Sequence, residues 1–188
     1  MSSDRDEYLR SVTVGEVNPL NGSVHLADYD PRWPAQFEYL AGLVSKALGA
    51  RAIRLEHAGS TSVPGLAAKP VIDMVLAVPD STDEPSYVPA LEQEGFVLRI
   101  REPEWFEHRV LSSARIASNL HVFSAGCEEI PRMLCFRDWL RTRDDDRQLY
   151  ERTKRELAVR TWKHLQDYAD AKTAIVREIL HRAMEDSR

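Results

Sequence analysis

The spacing of apolar side chains divides the chain into a strand-rich first part and a helical last part. Residues 1–22 carry few large apolar groups and end in Asn-Pro-Leu-Asn-Gly, so they read as a flexible N-terminal tail and turn. A short strand is predicted over 24–29. Asp30-Pro31 then reads as a helix cap followed by proline at the first helical position. Behind it Trp33, Phe37, Leu40, Val44 and Leu48 recur at three- and four-residue steps, the stripe of a helix laid on a core. Residues 52–57 set Ile53, Leu55 and His57 against Arg54 and Glu56, the alternation of a half-buried strand.

The run over 71–78 is almost continuously apolar, as a buried central strand requires, and Pro79 closes it. A short helix over 85–94 is ended by Gly95. Strands are predicted over 96–100, 105–111 and 119–123, and helices over 131–142, 145–161 and 165–184. Strands first and helices later predict a mixed α/β (α+β) fold, a β-sheet flanked by helices with a C-terminal helical segment. No linker interrupts 23–188, which reads as a single domain.

Bulk properties narrow the function. Of 188 residues 43% are hydrophobic and 29% charged, ordinary for a globule with a core. A net charge of −5 argues against an extended nucleic-acid surface, which needs a cationic face, but leaves room for a local cationic pocket. No apolar run suits a membrane span, and the acidic, polar start is unlike a signal peptide. Cys127 and Cys135 form neither a zinc-ligand spacing nor a disulfide framework, so they read as reduced thiols of a cytoplasmic protein.

The chemistry concentrates in EHAGSTSVPGLAAKPVIDM, residues 56–74. Gly59, Ser60, Thr61 and Ser62 follow a strand, where glycine lets main-chain N–H groups approach an anion and the hydroxyls add donors. An ordinary turn competes with that reading. Lys69 is followed by Pro70, so this is not a P-loop; it reaches a phosphate as a point charge or is a solvated loop lysine. Asp73 lies inside the apolar strand, on one face with Val71 and Val75, while Ile72, Met74 and Leu76 take the other. A carboxylate there needs a metal, a cation or hydrogen bonds. His121 is likewise a polar residue in an apolar strand, and a single ion or water shared with Asp73 would satisfy both. His57 is either a further ligand or the residue that orients the loop. Lys154 and Lys172 fall on apolar helix stripes, and Arg137 and Arg141 are spaced i, i+4. Together they form either a cationic wall facing the loop or surface ion pairs with Asp144–Asp146 and Glu151.

The stretches YDPRWPAQF (29–37), LEHAGSTSVPGLAAKPVIDM (55–74), NLHVF (119–123) and FRDWLR (136–141) resemble the GrpB family. So does the order of Tyr150, Lys154, Leu157 and Ala158 ahead of Tyr168 and Lys172, and the likeness covers about 23–184. The resemblance implies a nucleotidyltransferase-like fold, in which a Gly-Ser turn binds a nucleoside triphosphate and two acids two residues apart bind magnesium. The chain is also similar to a domain fused to dephospho-CoA kinase in some bacteria. Carried over, Gly59-Ser60 fits the phosphate turn and Asp73 the first acid, but the second position holds Val75, and His121 stands where a third acid is expected.

The implied ligand is a nucleotide or another phosphorylated small molecule, contacted by Gly59, Ser60, Thr61, Ser62, Lys69, Arg137, Arg141, Lys154 and Lys172. The implied cofactor is a divalent metal, Mg2+ or Mn2+, on Asp73, His121 and His57, with Asp73 and His121 as the catalytic pair. The missing acid sets metal-assisted nucleotidyl transfer against a non-catalytic binding or accessory module.

Overall fold

The computed structural model describes residues 2–186. Five strands form one mixed sheet: β1 (Arg54–Ala58), β2 (Ile72–Val78), β3 (Phe96–Glu102), β4 (His108–Ser113) and β5 (Ser118–Ser124), in the order β1-β2-β5-β4-β3. Only β2 and β5 run parallel; the other neighbours are antiparallel. The apolar run 71–78 is therefore the inner strand β2, buried along nearly its whole length, and β5 beside it keeps Asn119, His121 and Ser124 half-buried.

The predicted alternation along β2 holds. Ile72, Met74, Leu76 and Val78 pack with Trp33, Leu40, Val44 and Leu48 of α2 (Trp33–Leu48) and Leu91 of α3 (Val88–Gln93). Val75 and Ala77 face the other way, against Ala58, Phe123 and the Ile130 and Leu134 side chains of α4 (Glu129–Thr142). Two further helices, α5 (Asp144–Ala158) and α7 (Thr173–Asp186), meet α4 around Val63, Leu66, Leu140, Tyr150 and Ile179. The mixed sheet flanked by helices is the architecture expected from the sequence.

Several local expectations are corrected. The N-terminal segment is not a loose tail: Ser2–Val12 is a helix, α1, with Leu9 and Val12 buried. Its end is pinned to β3, where Thr13 bridges Ile100 and the Val14 N–H donates to the Arg99 carbonyl. Residues 24–29 form no strand; isolated bridges from Gly22 to Trp162 and from Ala27 to Ala68 hold that stretch instead. Helix α2 starts at Trp33, later than Asp30-Pro31 suggested, because the Asp30 carboxylate binds the Arg32 N–H in a turn ahead of it. Trp105 belongs to the β3–β4 turn, where Phe106 and Glu107 take positive φ, so β4 begins at His108.

The single helix expected over 165–184 is two, α6 (Leu165–Ala171) and α7, broken at Lys172. No helix among the described residues is long and apolar enough to cross a membrane. Cys127 and Cys135 are free thiols.

Candidate functional site

Strand direction assembles the site. Because β1 runs against β2 while β5 runs with it, the end of β1 lies beside the first residues of β2 and β5. The register aligns Ala58, Asp73 and Asn119 across the three strands, and Glu56, Val75 and His121 in the next row on the same face. Gly59 leaves β1 with φ 63° and ψ −173°, a conformation nearly exclusive to glycine, and turns the chain into a 3-10 turn at Ser60–Ser62.

Asp73 and His121 are brought together as expected: His121 Nε2 lies 3.7 Å from Asp73 Oδ1. Asn119 Nδ2 donates to Asp73 Oδ1 at 2.9 Å. Burial pushes the Asp73 carboxyl up, but His121, Asn119 and the Lys69 charge outweigh it and hold the group below the usual carboxylate range.

Of the hydroxyls in the turn, only Ser60 turns to a cation. Lys154 Nζ donates to Ser60 Oγ at 3.0 Å and also binds the Ala67 carbonyl. Thr61 is buried beside His57, and the Ser62 hydroxyl donates to the Gly59 carbonyl at 2.6 Å, so both brace the turn from inside. Lys154 is 2% exposed, and burial, with the Lys172 charge adding, pulls its ammonium down to about 7. Lys172 and Lys69 are also pulled down, by burial first and against the attraction of Asp73. Among the described residues none of these three lysines has an ion-pair partner; Lys154 and Lys172 instead lie over the rings of Tyr150 and Tyr168 at 4.8 and 4.5 Å.

A cavity of about 460 Å³ is lined by Ser60, Lys69, Asp73, His121, Lys154 and Lys172 among others. A smaller one, about 220 Å³, opens on the other side of Ser60 and Asp73, and a third, about 840 Å³, lies towards Trp105 and Phe106. Lys172 lines all three. The break between α6 and α7 puts it there, which a continuous helix would not predict.

Three expected ligands are placed otherwise. His57 pairs across the sheet with Met74, so it faces α2 and not Asp73; its ring stacks on Phe37 at 4.8 Å and its Nε2 meets the Thr61 hydroxyl at 3.0 Å. Burial, with Arg141 nearby, pulls it down to about 4, and it orients the loop from behind. Arg137 is buried as a clamp, bonding the His57 carbonyl and the Glu56 carboxylate at 2.9 Å each and pairing with Asp138. Arg141 holds the Ser62 carbonyl through two nitrogens at 3.0 and 2.9 Å. Arg137 binds the β1 backbone and Arg141 the turn, neither pairs with Asp144–Asp146 or Glu151, and Arg137 also lines the 220 Å³ cavity.

Sequence reasoning missed the row behind His121. His108 Nε2 lies 3.0 Å from His121 Nδ1, His108 Nδ1 lies 2.7 Å from Glu102 Oε2, and the Tyr8 hydroxyl donates to Glu102 Oε1 at 2.5 Å. The signal was present in part: His108 alternates onto the His121 face once β4 is started at the right residue. The share of α1 could not be read.

The divalent metal implied by the resemblance needs several oxygen donors. Here the strand gives one carboxylate; Val75 is fully buried, and Glu56 is engaged by Arg54 and Arg137. Among the described residues no three His, Cys, Asp or Glu side chains converge as a metal set. With the Lys69 and Lys172 charges acting on Asp73, the residues do not fit a two-magnesium centre.

A mixed sheet flanked by helices, with a lysine-lined cavity at the strand ends around Asp73, defines an α/β protein. The chain belongs to the GrpB family: the family described as GrpB protein matches residues 23–182. A UPF0157 protein of Halalkalibacterium halodurans is 57% identical over 178 residues, 95% of this chain and 91% of that one. The crystal structure of the conserved protein GrpB from Enterococcus faecalis superposes with a TM-score of 0.72 at 27% identity, covering 87% of this chain and 99% of that chain. A protein of Mycolicibacterium paratuberculosis named dephospho-CoA kinase is 29% identical over 188 residues, 86% of this chain but 46% of its own length.

Proposed function

We propose that the protein binds a phosphorylated small molecule, a nucleotide or a simpler phosphate ester, between the Ser60 turn and the α5–α6–α7 layer. One observation carries the reading: Lys69, Lys154 and Lys172 converge on a cavity whose lining sets three lysines against two carboxylates, Asp73 and Glu16. Three ammonium groups held close together, Lys154 buried and Lys69 and Lys172 half-buried, are only partly offset by Asp73, and a di-anionic ligand would relieve that cost. Ser60 Oγ would donate to the phosphate, and the lysines would neutralise it as point charges.

Metal-assisted nucleotidyl transfer is the weaker reading, because it needs a second acid where Val75 packs into the core. Binding without two-metal chemistry suits the donor set. The kinase relative gives a reason to include dephospho-CoA among the first ligands tried.

The test is thermal unfolding with inorganic phosphate, pyrophosphate, ATP and dephospho-CoA, in the parent and in Lys172→Ala. A ligand that binds the native state raises the melting temperature by mass action. A shift for at least one phosphorylated compound, diminished in the variant, is expected. No shift for any of them at millimolar concentration removes the reading.

A further inference from the structure

We infer that Tyr8, Glu102 and His108 are positioning residues that fix His121 in one tautomer, with its Nε2 lone pair turned towards the Asp73 cavity as a base. The inference rests on the proposed ligand site for the identity of what the base acts on, but not for the chain of hydrogen bonds itself.

The tautomer follows from donor and acceptor capacity. Glu102 is held as a carboxylate: burial pushes it up, but His108 and Tyr8 outweigh that and leave it below the usual range. A carboxylate only accepts, so at 2.7 Å His108 Nδ1 must be the donor. Burial holds His108 towards its neutral form, against the pull of Glu102, and a neutral imidazole protonated at Nδ1 presents Nε2 as an acceptor. The partner of that acceptor at 3.0 Å is His121 Nδ1, which therefore carries the hydrogen. His121 Nε2 is left with the lone pair. It lies 3.7 Å from Asp73 Oδ1, beyond direct hydrogen-bond reach; it is the ring protonated at Nε2 that holds the Asp73 carboxyl down, and Asp73 in turn offsets that imidazolium charge.

Packing supports the same direction. His108 is 3% exposed and sits between rings, stacked on Phe123 at 4.6 Å and on His121 at 5.2 Å, with the Trp105 edge at 4.9 Å. A half-turn of its ring would keep the stacking but put carbons where Nδ1 and Nε2 now meet Glu102 and His121, so the two hydrogen bonds fix its orientation. His121 is 22% exposed and lines the cavity that holds the lysines. The order is carboxylate, imidazole, imidazole, cavity, with Tyr8 of α1 closing the far end.

The step this arrangement performs is removal of a proton from a hydroxyl of the phosphorylated ligand or from a water beside it. The O–H bond breaks with its electron pair left on oxygen, an N–H bond forms at His121 Nε2, and Asp73 compensates the new positive charge. Lys172 and Lys69, lining the same space, would stabilise the oxyanion. No metal is required for this step.

The test reads the tautomer directly. Long-range nitrogen–proton NMR on uniformly labelled protein without ligand distinguishes Nδ1–H from Nε2–H in neutral imidazoles. For His121 an excess of Nδ1–H of about tenfold, the bias a single hydrogen bond can supply, is expected in the parent. In His108→Phe, which keeps the stacked ring but removes the acceptor, the Nε2–H form preferred by free imidazole should take over. A parent His121 already in the Nε2–H form overturns the inference by itself, whether or not the variant folds, as does an unchanged tautomer in a folded variant. One equivalent of Zn2+ should leave the His121 signals in place, and a stoichiometric shift at Nε2 would make the nitrogen a metal ligand and overturn its role as a base. Failure of every phosphorylated compound to bind would remove the ligand but leave the tautomer result intact, so the two readings fail separately.

Discussion

A β-carbon on Gly59 would lie 2.4 Å from Asp73 Oδ2 and 2.9 Å from Asp73 Cβ. The glycine is therefore required twice, for a positive φ and for the space its missing side chain leaves to Asp73. Gly59→Ala should strain the turn and displace Asp73, costing roughly 2–4 kcal/mol of stability and weakening phosphate binding. Gly65, also at positive φ, has nothing within 4 Å of such a carbon. Gly65→Ala should lose only the conformational part, about 1 kcal/mol, with binding retained. Chemical denaturation of both variants, with and without phosphate, separates the two; equal behaviour would mean the Gly59–Asp73 approach has no role in the site.

The pH dependence of stability follows from Lys154. Its ammonium titrates at about 7 in the folded chain against an ordinary 10.5, so between those values the unfolded chain binds more protons. Stability of the ligand-free protein should rise with pH from about 7 towards 9, by at most roughly 1.4 kcal/mol per unit for one proton. Below about pH 7 both states carry the charge and the penalty stays complete. Lys154→Met should flatten this slope, while Lys69 and Lys172, also pulled down, keep part of it. Denaturant titrations at several pH values would show whether the slope depends on residue 154.

The arginine clamp predicts a loss of stability without a matching loss of binding. Arg137→Met leaves the His57 carbonyl without its partner and Glu56 with Arg54 alone, a cost of about 2–4 kcal/mol once the partial exposure of Glu56 is allowed for. Because Arg137 spends its donors on protein atoms, phosphate affinity measured by calorimetry in the folded variant should be unchanged. A fall in affinity as large as for Lys172→Ala would return Arg137 to the ligand side.

The legible parts of the molecule were those governed by a local period. Alternation along 71–78 gave both faces of β2, because a strand has no other way to place side chains two residues apart, while the face His121 shares with Asp73 is set by the β2–β5 register that pairs it with Val75. What could not be read depended on partners distant in sequence. Helix α1 has a weak apolar pattern and is held by Asp6 against His164 and Lys163 and by Tyr8 against Glu102. Arg137 and Arg141 occupy the helix face that the spacing suggested, yet the carbonyls they bind come from about eighty positions earlier. His57 alternates as expected, but which face it shares depends on the β1–β2 register, which pairs it with Met74.

The missing acid supplies the last test. Val75 lies on the Asp73 face, two residues on, fully buried among Ala58, Phe123, Ile130 and Leu134, with Glu56 and His121 as its neighbours across the strands. Val75→Asp places a carboxylate in that apolar cluster, next to a Glu56 whose charge is already matched by Arg54 and Arg137. Without metal the variant should be destabilised by roughly 3–5 kcal/mol, the range for an unpaired buried charge. The same substitution restores two carboxylates that can converge on one ion, the donor chemistry that Asp73 alone lacks. Magnesium should therefore recover part of the loss in the variant and do little for the parent. Calorimetric unfolding with and without Mg2+ measures the difference. Equal magnesium gains in the two proteins would mean that position 75 cannot reach the ion, and that the valine there says nothing about why two-metal chemistry is a poor fit to this site.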